Sequence, residues 1–226
     1  LPQSPQLYKQ MLMVGGLDKY YQVARCFRDE DSRSDRQPEF TQLDVEMSFV
    51  EDRDVQALIE KVLANVWKSV YGKELVTPFP RITFYDAMHS YGTDAPDIRY
   101  GLKLQDVTDI VKAASYEIFQ RILSKGGRVE CMNVKAELMA TTSNDETAVG
   151  RNEVDRLIEW AKAQGMGGLT WMRMTKDGLQ SNIVKYFPKA VTEELETKMG
   201  AEEGDLLLFL AGSEIAALKA GGELRR

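Results

Sequence analysis

The chain has few cysteines, one histidine and no long hydrophobic run. Cys26 and Cys131 stand far apart with no metal-ligand spacing around them, so a disulfide scaffold and a zinc site are not expected, and two reduced thiols are. His89, the single histidine, precedes a turn and has no nucleophile or metal partner in its motif, which predicts a structural or solvent role rather than catalysis. No apolar run approaches the roughly 20 residues that span a bilayer, and the first residues form no signal peptide. Repeats and low-complexity segments are missing. No G-x-G-x-x-G pattern or Walker lysine accompanies the glycines at 165–168 and 221–222, so these read as turns rather than phosphate loops. Basic charge is not in excess: 29 Lys and Arg face 35 Asp and Glu, for a formal charge of −6. That excludes a polybasic nucleic-acid binder while allowing a local basic patch. With 226 residues, 43% of them hydrophobic, the chain suffices for one or two globular domains.

The most informative stretch is Tyr20–Phe49. Two segments of strand composition, Tyr20–Phe27 and Phe40–Phe49, flank a loop, Arg28–Glu39, made mostly of Arg, Asp and Glu. In the second segment Leu43, Val45, Met47 and Phe49 alternate with Gln42, Asp44, Glu46 and Ser48, the period of a strand with one packed and one polar face. Loops this long inside a compact domain tend to be functional. Arg28 stands where the first strand ends, and its planar guanidinium suits a carboxylate or phosphate. Glu30, Gln37, Glu39 and Phe40 form a set able to hydrogen-bond an amino-purine and stack on it. The surplus of carboxylates suits Mg²⁺ near a triphosphate. The residues alone point to an anionic substrate plus a nucleotide, with a solvated charged hairpin tip as the alternative.

The wording F-R-D-E followed by R-Q-P-E-F-T-Q-x-D-x-E resembles motif 2 of class II aminoacyl-tRNA synthetases, and within them the aspartyl-tRNA synthetases of bacterial type, organellar enzymes included. L-P-Q-S-P-Q-L-Y-K, Leu1–Lys9, resembles the aspartate-binding segment of the same family, in the right order and at the right separation. The resemblance implies an aspartate–tRNA ligase that activates L-aspartate with ATP and Mg²⁺ and transfers it to the 3′ end of tRNA(Asp), with tRNA(Asn) left open. It implies a homodimeric enzyme of the cytoplasm, or of the mitochondrial or plastid matrix. By the same resemblance Arg28 is catalytic, touching both the aspartate and the α-phosphate. Asp29, Glu30, Gln37 and Phe40 contact ATP, Phe40 by stacking. Gln6, Leu7, Tyr8 and Lys9 bind aspartate, Lys9 through the side-chain carboxylate, and Asp44 receives the ammonium. No residue is assigned to a metal, the Mg²⁺ ligands being expected largely elsewhere. The alternatives are a surface ion pair with Asp29 or Asp31 for Arg28, a core aromatic for Phe40 and an exposed helix lysine for Lys9. Arg33 and Arg36 meet the tRNA acceptor end or lie in solvent.

Elsewhere, Gln6–Val14 reads as a helix ended by Gly15-Gly16. Asp52–Tyr71 reads as a helix with an apolar stripe from Val55 to Val70, a cap at Asp54 and a stop at Gly72, packed as core against a sheet. Thr83-x-x-Asp86 resembles a capping box before a short helix ending at Gly92. The turn-rich run Tyr91–Arg99 is the expected boundary between a partial class II catalytic core, 1–92, and a second domain, 93–226. There Gln105–Ala114, Ser115–Leu123, Asn152–Ala163, Val191–Met199 and Ser213–Lys219 read as helices. Arg128–Lys135, Leu169–Met174 and Asp205–Ala211 read as strands. The expected fold is α+β: part of the antiparallel-sheet core of a class II synthetase, then an α/β domain with a small, mostly antiparallel sheet. The second half resembles the insertion domain of bacterial-type aspartyl-tRNA synthetases through Tyr91–Arg99, Gly127-Arg128-Val129, Ser181–Phe187 and Glu203-Gly204-Asp205. Trp67, Trp160 and Trp171 are expected in the core. Motif 1, an anticodon-binding barrel and motif 3 are not found, and the chain starts at Leu1, so a fragment inactive by itself is expected. The rival readings are an insertion-domain binding module contacting tRNA or a protein, and a paralogue ligating something other than tRNA.

Overall fold

The computed structural model describes residues 1–31, 36–140, 151–163 and 169–226. The expectations at Arg33 and at Gly165–Gly168 lie outside the described residues. The chain divides into two compact units, Leu1–Arg81 and Ile82–Arg226.

The first unit runs α1 (Gln6–Val14), β1 (Lys19–Phe27), β2 (Glu39–Met47) and α2 (Asp52–Tyr71). β1 and β2 form an antiparallel pair, with Phe27 opposite Glu39 and Lys19 opposite Met47. This register puts Ala24, Cys26, Phe40, Gln42, Asp44 and Glu46 on one face and Tyr21, Val23, Leu43 and Val45 on the other. The expectation about which face packs is corrected. Ala24 and Cys26 are buried, whereas Tyr21, Val23 and Leu43 are exposed. The covered side is the one carrying the carboxylates of β2, because the Lys9 side chain of α1 lies against it. Phe49, expected in line with Leu43, turns away in a left-handed conformation with φ 58° and is exposed. The cap of α2 is Glu51 and not Asp54, which stands at the third helical position and completes a reciprocal capping box with it, while Gly72 closes the helix at φ 67° as expected. No residue of α2 is buried, so its stripe is not core among the described residues, and Trp67 is exposed.

The second unit contains α3 (Phe84–Tyr91), β3 (Leu104–Asp106), α4 (Thr108–Val111), α5 (Glu117–Leu123), β4 (Arg128–Val134), α6 (Ala136–Ala140) and α7 (Arg151–Ala163). These are followed by β5 (Leu169–Thr175), β6 (Gly178–Gln180), a 3-10 turn at Val184–Tyr186, α8 (Lys189–Met199), β7 (Leu206–Gly212) and α9 (Glu214–Leu224). The sheet has the order β3-β4-β7-β5-β6 with every pair antiparallel. Central β7 is apolar on both sides, which explains its unbroken Leu206–Leu210 run. Leu207 and Phe209 join Phe119, Val129, Met172 and Leu195 in one core. Leu206, Leu208 and Leu210 join Met132, Val154, Ala161 and Leu218 in the other. Trp160 and Trp171 pack, half-buried, against the second core. Asp205 anchors the entry to β7, accepting from Asn133, Lys135 and the backbone N–H groups of Ala136 and Glu202.

Several expectations change here. Residues 104–106 are an edge strand instead of the start of a helix, with the Asp106 carboxylate accepting from the Thr108 N–H to open α4. α6 and β6 were not foreseen. Gly221-Gly222 is not a turn but lies within α9. A side chain at Gly222 would come within 2.5 Å of the Gly92 carbonyl oxygen, so glycine lets α9 meet the end of α3. Arg225, with no function read from sequence, is buried. Its guanidinium donates to the carbonyls of Asp97, Gly101 and Leu102 and lies over the rings of Tyr91 and Tyr100. These contacts tie α3 to the second unit, so the units part at Arg81–Ile82, ahead of the line expected between 92 and 93.

Candidate active site

The polar face of the hairpin is organised by one buried cation. Lys9 sits in the middle of α1, and its ammonium lies 2.8 Å from Asp44 Oδ1 and 3.1 Å from Glu46 Oε2. The two carboxylates share a face because they are two residues apart on β2. Hydrogen bonding to Asp44 is the main influence holding the Lys9 pKa above its ordinary value, with Glu46 adding to it against the cost of burial. One cation facing two carboxylates leaves the cluster short of positive charge. Asp44 Oδ2 is buried and takes no hydrogen bond, an arrangement that costs free energy unless a donor arrives. The alternative of an exposed helix lysine is thereby set aside, since Lys9 is only 8% exposed.

The far end of the same face carries Arg28. β1 ends here, with the Arg28 N–H donating to the Pro38 carbonyl at 2.9 Å. The first residues of the chain lie alongside: the Phe27 N–H donates to the Pro2 carbonyl, and Arg28 Nε donates to the Gln3 carbonyl at 3.3 Å. The Arg28 guanidinium carbon lies 5.1 Å from the centre of the Phe40 ring. Phe40 is half-buried and not a core aromatic. Arg28 reaches neither Asp29 nor Asp31 in any ion pair among the described residues; its carboxylate neighbour is Glu30, at 3.8 Å, which Arg36 approaches more closely at 3.3 Å. Between the two ends, Cys26 Sγ donates to Gln42 Oε1 at 3.0 Å.

The structure therefore groups Lys9 with Asp44, and Arg28 with Glu30 and Phe40. Gln6, Leu7 and Tyr8 are exposed on α1, and Asp29 and Gln37 are exposed beside the loop. Sequence reasoning missed Glu46 as the second partner of Lys9, although the alternation of β2 already placed it beside Asp44. It also missed the Gln3 carbonyl, for which no side-chain pattern is a signal.

A profile of the class II tRNA synthetases (D, K and N) matches residues 1–213. The chain belongs to this family. It is 45% identical to the aspartate–tRNA ligase of Geobacillus kaustophilus over 225 residues, covering 100% of this chain and 37% of that protein. The aspartate–tRNA ligase of Exiguobacterium sibiricum is 44% identical over 226 residues, again 100% of this chain and 37% of the relative. The aspartate–tRNA(Asp/Asn) ligase of Aquifex aeolicus is 44% identical over 225 residues, 100% and 36% respectively. The chain thus spans little more than a third of the length of these relatives.

In this class II synthetase chain the α+β fold and the antiparallel sheets agree with the expectation from sequence. No group of three or more His, Cys, Asp or Glu side chains placed to hold a metal occurs among the described residues. His89 has the structural setting expected of it: Nδ1 lies 2.9 Å from the Tyr85 carbonyl and Nε2 lies 3.2 Å from Glu214. Among the described residues no helix is long and apolar enough to cross a membrane.

Proposed function

We propose that the chain is part of an aspartate–tRNA ligase and that the polar hairpin face holds the reacting aspartate and ATP. The observation that carries this reading is the Lys9–Asp44–Glu46 cluster, with its surplus negative charge and its unsatisfied Asp44 Oδ2. The ammonium of L-aspartate satisfies that oxygen. The substrate side-chain carboxylate accepts a hydrogen bond from the Lys9 ammonium N–H not engaged by Asp44 or Glu46. Arg28 receives the α-carboxylate and the α-phosphate of ATP, with the purine against Phe40 and with Asp29, Glu30 and Gln37 nearby. Gln6, Leu7 and Tyr8 border the aspartate pocket.

The carboxylate oxygen attacks the α-phosphorus, the bond to the bridging oxygen breaks, and pyrophosphate leaves with that electron pair. Arg28 lowers the barrier by holding both partners in line and by neutralising charge that grows on the phosphoryl oxygens. Mg²⁺, when bound with ATP, supplies further neutralisation of the phosphates. The activated aspartate then passes to the 3′ end of tRNA(Asp). The names of relatives acting on tRNA(Asp/Asn) favour testing tRNA(Asn) too. A homodimer in the cytoplasm is part of the same proposal. So is the assignment of residues 93–226 as an inserted domain.

The test is aspartate-dependent ATP–pyrophosphate exchange by the full-length protein. Arg28→Ala is expected to lower it by at least about 100-fold with the fold intact by circular dichroism. Near-normal exchange overturns the role given to Arg28. The 226-residue chain alone is expected to give no exchange above background.

A further inference from the structure

We infer that Cys26 is a positioning residue: its thiol holds the Gln42 side chain so that the amide N–H₂ faces the candidate site and donates to the reacting carboxylate of the substrate. This rests on the proposed binding of aspartate at the same hairpin face.

Strand geometry puts the pair at the centre of that face. Phe40, Gln42 and Asp44 follow one another along one side of β2, in steps of about 7 Å. The Arg28 guanidinium lies over the Phe40 ring at one end, and the Lys9 ammonium meets Asp44 at the other. Gln42 stands between them, half-buried. A ligand whose ammonium meets Asp44 Oδ2 and whose α-carboxylate meets Arg28 therefore crosses Gln42.

A glutamine amide has two unlike ends, and the thiol selects between them. Gln42 pairs across the strands with Ala24, whose methyl group makes no hydrogen bond, and Cys26 is the next residue of β1 on the same side. Cys26 is fully buried, with Sγ 3.0 Å from Gln42 Oε1 and 3.8 Å from the Ala24 carbonyl oxygen. A thiol is a donor and only a weak acceptor, so it takes the oxygen end of the amide and turns the N–H₂ end away. Among the described residues no hydrogen bond engages that N–H₂. Flipped, the amide would set its oxygen against the substrate carboxylate; oriented as it is, it suits an anionic oxygen. Aspartate brings one to this place, the α-carboxylate oxygen that does not attack the phosphorus. That oxygen loses charge as its neighbour bonds to phosphorus, so the hydrogen bond is stronger before reaction than at the transition state. Its loss therefore raises the KM for aspartate and leaves kcat in place.

Steady-state ATP–pyrophosphate exchange by the full-length protein, with aspartate and ATP varied in turn, tests it. Cys26→Ala and Cys26→Ser both remove the sulfur, and only serine keeps a donor. Cys26→Ala is expected to raise the KM for aspartate about tenfold, the size of one hydrogen bond to a charged group, with kcat and the KM for ATP unchanged. Cys26→Ser is expected to recover most of that loss. Gln42→Leu is expected to raise the KM for aspartate at least as much, and adding Cys26→Ala to it is expected to raise it no further, because the thiol then has no amide to orient. Gln42 is half-buried, so its variants keep the test open should the fully buried Cys26→Ala fail to fold by circular dichroism. An unchanged KM for aspartate in Gln42→Leu, equal defects in Cys26→Ala and Cys26→Ser, a fall in kcat alone, or additive effects in the double variant overturn the positioning role. If Arg28→Ala still abolishes exchange, the binding of aspartate at this face survives any of those results; near-normal exchange in Arg28→Ala overturns both.

Discussion

The two units use apolar residues in opposite ways. In the Ile82–Arg226 unit the sheet is covered on both faces, and β7 sends Leu207 and Phe209 into one core and Leu206, Leu208 and Leu210 into the other. In the Leu1–Arg81 unit the apolar side of the hairpin and the stripe of α2 stay exposed, while a lysine and two carboxylates occupy the covered side. One unit is stabilised mainly by removing hydrocarbon from water. The other encloses charge at its candidate site and keeps its hydrocarbon accessible, a surface that in monomeric soluble proteins marks an interaction face. Amphipathic periodicity therefore says which residues share a face, and not whether that face is covered.

The sharpest test of this contrast is a pair of truncations. Phe209→Ala in β7 is expected to destabilise its unit by about 4 kcal/mol, since a fully buried ring leaves a cavity. Leu63→Ala in α2, where the side chain is 45% exposed, is expected to cost well under half of that in the same chain. Urea unfolding followed by amide exchange in each unit separates the two effects. Equal losses would erase the distinction between the units.

Charge gives the next largest effect. Lys9→Ala leaves Asp44 and Glu46 facing each other without their cation, and is expected to destabilise the hairpin by about 3 kcal/mol. Lys9→Arg, which keeps the charge but not the shape, is expected to recover part of it. Amide exchange at Val23 and Leu43 reports the loss; unchanged protection in Lys9→Ala would show that the cluster does not hold the unit together.

The larger unit also buries one carboxylate. Glu130 on β4 is fully buried, and burial raises its pKa to about 7. Arg128 Nε lies 2.7 Å from Glu130 Oε1, yet the geometry makes no hydrogen bond, and the same guanidinium also faces Asp106 and Glu214. His89, within 3.2 Å of Glu214, is a further neighbour. Because the folded pKa lies above the ordinary value of 4.5, the contribution is fully present below pH 4.5 and is lost as pH rises through 7. Glu130→Gln is expected to remove this pH dependence, on the order of 2 kcal/mol between pH 5 and 8. A carboxyl carbon resonance of Glu130 titrating below pH 5 would refute the assignment.

The smallest expected effect concerns close packing. Gly222→Ala meets the Gly92 carbonyl and is expected to cost about 1–2 kcal/mol, measured as a lowered urea midpoint of the second unit. No loss would show that α3 and α9 separate at little cost.

Much of the candidate site was legible because its signals are local. The alternation of β2 placed Asp44 beside Glu46, Arg28 stood at the end of a strand, and the motif wording matched a known synthetase segment. The pairing of Lys9 with Asp44 joins residues 35 apart, and no periodicity announces which lysine of a helix will be buried.

By itself the sequence determined the bounds of α1 and α2, the hairpin pairing and the family, since helix stripes, caps, glycine stops and motif words act over a few residues. Tertiary structure decided that residues 104–106 pair as an edge strand, that Gly221 and Gly222 continue a helix, and that Arg225 is buried against carbonyls 123 to 128 residues away. Each of those outcomes depends on a partner distant in the chain, whose hydrogen bond or close approach outweighs the local preference of the residues themselves.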